Sequence, residues 1–134
     1  MARVVYNTAE FTALLQSPAG PVGRDILRRT NNVRVRAEQL ADARLKRSSR
    51  PGVHYHDSFI HYLDTPLAGI AGNIADHAMP LEVGSRPHII RTKNVPYLKF
   101  YWPKIGRWVQ VKEVNHPGNK AYHILPDALA AAAL

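Results

Sequence analysis

The chain has 134 residues, the length of one ordinary domain, and 46% of them are hydrophobic, enough for a core. It contains no cysteine, which excludes a disulfide framework and any cysteine-ligated zinc site. The 18 lysines and arginines against 10 acids give a net charge of +8, a field that draws polyanions or acidic protein faces and says nothing about the fold.

The first residues carry no long apolar region and no cleavage-site pattern. No run approaches the ~20 apolar residues of a membrane-spanning helix. These features point to a single domain, residues 1–134, made in the cytoplasm and with no membrane partner.

In chain order, Val4, Val5 and Tyr6 are β-prone. Asn7 or Thr8 then suits a helix cap, with Glu10 reaching back from the first turn, and Phe11, Leu14 and Leu15 at helical spacing. This short helix ends near Ser17, and Pro18, Gly20 and Pro21 make a hinge. From 22 to 46, Val22, Ile26, Thr30, Val33, Ala37 and Leu40 recur at steps of three or four. That spacing predicts an amphipathic helix of about six or seven turns. Between residues 18 and 50 nine basic residues face three acids, and most of the excess charge falls there. A solvated helix face is the ordinary meaning of such a pattern. The sharper meaning is a surface for DNA or an acidic partner, made of Arg24, Arg28, Arg29, Arg36, Arg44, Lys46, Arg47 and Arg50.

Residues 46–52 form a basic loop, and 53–63 favour a strand, with a helical turn at Asp57 and Ser58 as the alternative. A turn at Asp64 leads to a small apolar strand at 68–74, then to one or two helical turns at 75–83, kept short by Pro80. The stretch 81–91, LEVGSRPHIIR, predicts a helix end, a tight turn at Gly84 and an extended arm running on to 95. Residues 97–102 and 107–114 alternate around a Pro103–Gly106 turn, which predicts a β-hairpin with Leu98, Phe100 and Trp102 on a core face. A second loop spans 115–120, and 121–134 predicts a closing helix with Ile124, Leu125, Ala128 and Leu129 on its apolar side. The elements add to an α+β fold: a long amphipathic helix and a C-terminal helix packed on a small antiparallel β-sheet, with extended loop arms.

No catalytic pattern stands out. Phosphate-cradling glycine loops and nucleophile elbows are missing from the sequence. His54, His56 and His61 lie close in sequence, but no spacing supplies a third and fourth metal ligand. His88 and His116 each flank a proline, and neither Glu82 nor Asp76 stands at a spacing that defines a catalytic partner. Tyr97, Tyr101, Trp102 and Trp108 suit base stacking less well than they suit a hairpin core. The chain is therefore expected to be no enzyme and to use no cofactor or metal.

Two clusters carry a resemblance. Glu82, Gly84, Ser85, Pro87 and His88 fit an apolar–Glu–x–Gly–Ser/Thr–x–Pro–His pattern. His116, Pro117 and Gly118 fit a His–Pro–Gly turn after a hydrophobic hairpin, and Ile124 and Leu125 open the closing helix. With Ser17 and Pro18 before the long helix, this order resembles the tail-component family of long-tailed double-stranded DNA bacteriophages, whose members are neck or tail-completion proteins. The resemblance covers nearly the whole chain. It departs at 55–58, where Tyr55, His56, Asp57 and Ser58 stand in place of an Asp–Thr–Gly–x–Leu-like segment.

The resemblance implies a structural virion protein of the head–tail junction, made in the host cytoplasm and assembled as a ring, six copies matching tail symmetry. The ring joins or caps the tail tube, and its partners are copies of itself, the neighbouring neck, tail-tube or terminator and connector proteins, and packaged DNA. Subunit contacts are then expected at Glu82, Gly84, Arg86, Pro87, His88, Arg91, Lys93, His116, Pro117, Gly118 and Lys120. The competing expectations are a basic nucleic-acid-binding module using the arginine-rich helix at 22–46 and, more remotely, a metal-dependent hydrolase using the histidines.

Overall fold

The computed structural model describes residues 2–5, 7–49 and 51–132. Its helices are α1 (Thr8–Gln16), α2 (Pro21–Arg44), α3 (Ala78–Val83) and α4 (Ile124–Ala132). Its strands are β1 (Phe59–Thr65), β2 (Ala68–Asn73), β3 (His88–Arg91), β4 (Leu98–Trp102), β5 (Arg107–Val111) and β6 (Glu113–His116). The fold is α+β, with small antiparallel ribbons, and no helix among the described residues is long and apolar enough to cross a membrane.

Asn7 caps α1, its Oδ1 accepting the Glu10 N–H at 3.3 Å. Val4 and Val5 join no strand and lie exposed, and Tyr6 is outside the described residues. Helix α2 begins one residue before the expected start, because Pro21 at the first helical position gives up no hydrogen bond. It ends at Arg44 rather than 46, where Leu45 turns extended. His56, buried after the helix, closes that end: its Nε2–H faces the Ala41 carbonyl at 3.2 Å and the Leu45 carbonyl at 3.1 Å. Both partners are acceptors, so this nitrogen carries the proton.

Residues 55–57 form a 3₁₀ turn, so the strand expected across 53–63 starts only at Phe59. Strands β1 and β2 pair from Phe59↔Asn73 to Leu63↔Gly69 and lie against α2. The approach is close: a Cβ on Gly69 would stand 1.8 Å from Thr30 Oγ1.

The core lies where α2 meets α4, the 3₁₀ turn, β1 and α3. Among the described residues nine hydrophobic side chains are buried, five of them alanines, and Ile124 is the one large side chain that is fully buried. Ala37 and Ala41 let α4 approach α2 closely enough to seat Ile124 and Ala128. Helix α4 starts at 124 rather than 121, because His123 takes a positive φ of 49° just before it. Leu129, expected on its apolar side, is exposed.

The second half differs most from expectation. The strand predicted at 107–114 changes partner at Lys112: β5 pairs with β4, and β6 pairs with β3. Among the described residues the strands form three separate two-stranded ribbons rather than one small sheet. The arm at 88–91 is therefore a paired strand. Pairing gives its backbone N–H and C=O groups partners that a bare arm would lack.

Candidate functional site

The two clusters meet. Helix α3 ends at Gly84, whose φ of +79° is left-handed, and a Cβ there would lie 2.8 Å from the Asn119 carbonyl oxygen. Ser85 and Asn119 exchange backbone hydrogen bonds of 2.9 and 3.1 Å. Gly118, at φ +82°, lies against the opposite segment: a Cβ on it would stand 2.2 Å from the Ser85 carbonyl oxygen. Only glycine satisfies both the backbone angle and the contact at these two crossings. From there β3 and β6 run antiparallel, His88 opposite His116 and Arg91 opposite Glu113.

His88 and His116 stack with ring centroids 5.0 Å apart. His88 Nδ1 lies 2.9 Å from the Arg86 carbonyl, so it donates. His116 Nδ1 accepts the Gly118 N–H at 3.0 Å, so it carries no proton. The hydrogen bonds thus fix opposite tautomers, leaving a lone pair on His88 Nε2 and an N–H on His116 Nε2.

Glu82 is set apart from the residues around it. It is buried and serves the fold: its carboxylate accepts the Leu125 N–H at 3.2 and 3.3 Å, in the first turn of α4, and the Tyr55 hydroxyl. Burial pushes the Tyr55 phenol far above its ordinary value, and the Glu82 carboxylate adds to the shift. The His123 N–H reaches the Glu82 carbonyl at 3.2 Å, and the Tyr122 N–H the Leu81 carbonyl at 2.9 Å. Glu82 therefore fixes α3 to α4 and is turned away from any partner.

Arg86, Pro87, His88, Arg91, Lys93, Pro117 and Lys120 are exposed around the β3–β6 ribbon. Arg91 pairs across the strands with Glu113 at 3.3 Å, and Lys120 Nζ lies 5.2 Å from the centre of the Tyr122 ring. Among the described residues no group of three or more histidines and carboxylates is placed to hold a metal ion.

The basic face of α2 is largely spent on ion pairs. Arg28 and Arg29 share Asp25 at 2.6 and 2.7 Å, and Arg28 first, then Arg29, holds that carboxyl below the usual carboxylate range. Arg34 pairs with Glu38. Arg44 bridges to α4 through Asp127 at 2.6 Å and the Tyr122 carbonyl at 2.8 Å. Arg47 meets Asp57 at 2.9 Å and Asp42 at 3.4 Å. Arg36 reaches Gln39 at 3.2 Å, Arg24 and Lys46 are exposed, and Arg50 is outside the described residues.

A different set of cations stays unspent. Lys93, Lys99, Lys104, Arg107 and Lys112 flank and punctuate the β4–β5 hairpin, with no acid between 93 and 112. None of the five makes an ion pair among the described residues. Lys99 lies 5.8 Å over the Trp108 ring, and Tyr101 meets Trp108 edge-on at 6.0 Å. Counting charges along the chain pointed to α2; the missing signal was the absence of acids from 93 to 112.

The molecule also exposes more surface than its mass requires. Its accessible area is 10351 Å². A compact monomer of 15.0 kDa exposes about 7,000 Å². Scans of protein-family models, curated proteins and solved structures give no match to this chain.

Proposed function

We propose that the chain is a structural subunit of the head–tail junction of a long-tailed bacteriophage, assembling with copies of itself into a ring that joins or caps the tail tube. The observation that carries the assembling role is the surplus of about 3,000 Å² of accessible surface over a compact monomer. That is the scale obligate interfaces bury. In a ring it divides into about 1,500 Å² toward each of two neighbours. The phage assignment rests on the resemblance, and is supported by the two motif clusters crossing at Gly84 and Gly118. A paired limb with exposed Arg86, His88 and Lys93 suits docking to neighbours.

A stop codon in the gene tests the role. Filled heads and finished tails that fail to join are expected, and joined infectious particles overturn it. Electron microscopy of the assembled protein then gives the copy number, expected to be six.

A second reading has one specific support. The unpaired cations and exposed aromatic rings of the β4–β5 hairpin suit a nucleic-acid backbone better than the ion-paired face of α2 does. It predicts DNA binding with a steep salt slope that vanishes on neutralising Lys99, Lys104 and Arg107 and survives neutralising Arg28 and Arg29.

A further inference from the structure

The β4–β5 hairpin has a core face without a core. Pairing sets Leu98 opposite Val111, Phe100 opposite Val109 and Trp102 opposite Arg107 on one side of the ribbon. On that side Leu98, Phe100, Val109 and Val111 are half-buried, while Trp102 is 44% exposed and Ile105 at the turn is 45% exposed. Among the described residues, strands β4 and β5 pack substantially only against each other. An isolated two-stranded ribbon is marginal in water and needs a further apolar surface for its own stability.

The same chain carries a complementary concavity. A groove of about 750 Å³ opens between α2, β2 and α4, walled by Ile26, Val33, Ile70, Leu125 and Leu129. Its one charged lining residue is Arg29, already held by Asp25. The volume lies in the range that protein grooves offer to drug-sized apolar ligands and takes a few large side chains. No element of the hairpin packs substantially against α2, β2 or α4, so the projecting face and the groove are separate surfaces.

Resting on the ring reading above, we propose that the apolar face of the hairpin, led by Phe100 and Trp102, docks in the α2–β2–α4 groove of a neighbouring copy. The occupant is a second copy because both halves of the contact are apolar, the groove and the Trp102–Ile105 tip lie open, and the chain as a whole exposes about 3,000 Å² more than a compact monomer does. Two different patches meeting head to tail form a heterologous interface, which closes into a ring when the rotation between subunits closes. The other hairpin face, with Lys99, Tyr101 and Trp108, stays outside the contact.

The absence of cysteine makes the test clean. Ile105→Cys and Leu129→Cys are made singly in the full chain, then mixed and treated with a short bismaleimide. The expected product is a dimer formed from the mixture and from neither single variant alone, and the double variant gives a ladder ending at the ring size. Phe100→Ser with Trp102→Ser should keep the helical circular dichroism of the parent and lose both cross-linking and assembly. A ring that forms without cross-links, or that survives the double serine change, overturns the hairpin-in-groove contact while leaving the ring intact. A chain that stays monomeric throughout overturns both. A monomer whose hairpin instead binds DNA overturns the contact in favour of a nucleic-acid ligand.

Discussion

The region before Gly84 and the ribbons between 85 and 119 use similar residue types to opposite ends. In the first, aromatic and aliphatic side chains go inside: Tyr55 and Phe59 are buried and meet edge-on at 5.0 Å, against the alanine face of α2. In the second, Ile89, Tyr97, Tyr101, Trp102, Ile105 and Trp108 are all exposed. The charges divide the same way. Arginines of α2 are matched by Asp25, Glu38 and Asp127, while no acid lies between residues 93 and 112 and the hairpin cations make no ion pair among the described residues. One half satisfies itself, and the other leaves its apolar and cationic side chains exposed.

Cutting into the self-sufficient half has the largest effect on stability. Ile124→Ala removes the one large, fully buried side chain among the described residues and leaves a cavity where α4 meets α2. A loss of about 3 kcal/mol is expected in denaturant unfolding. Next is the fastening between the halves. Gly118→Ala places a Cβ against the Ser85 carbonyl at a left-handed φ, and about 2 kcal/mol should be lost. Gly118→Ala should also disturb the His88–His116 amide and imidazole signals in NMR while leaving those of α2 in place.

Tyr55 gives a smaller effect, confined to alkaline solution. Its phenol is raised in the folded chain, whereas the unfolded chain releases that proton near pH 10. The native state therefore binds more protons above that pH, and the stability linked to Tyr55 is complete below it and lost as pH rises further. The slope approaches about 1.4 kcal/mol per pH unit. Tyr55→Phe should flatten this alkaline limb in pH-dependent melting.

The smallest effect sharpens the contrast most. Phe100→Ser should change monomer stability by less than about 1 kcal/mol, because no core loses it. An equal loss for Phe100→Ser and Ile124→Ala would erase the distinction between the halves.

Much of the first half was legible from local rules. Steps of three and four along 22–46 marked α2, and the Asn7 cap marked the start of α1, whereas Pro21, read as part of a hinge, is the first residue of α2. The turn at Gly84 was legible too, but its crossing with Gly118 was not, since the contacts that require glycine there come from a segment 34 residues away. The partner change at Lys112 was not legible. Alternation runs on unbroken from 107 to 114, and which strand pairs with which is decided by long-range backbone satisfaction. Glu82 misled for a related reason: an acid in a motif looks like a surface group until Tyr55, 27 residues earlier in the chain, supplies its hydrogen bond. The basic face of α2 misled because charge counting does not see Asp25 shared by two arginines. The core face of the hairpin was read correctly as a face and wrongly as this chain's own core.

The most direct test of the central claim is sedimentation of the full chain over rising concentration, with amide exchange in 97–111 followed on the same samples. The account predicts a shift to one closed multiple of 15.0 kDa, with hairpin amides slowing as it forms. A 15.0 kDa species at every concentration, or an assembly whose hairpin amides exchange as fast as those of the free chain, would contradict it.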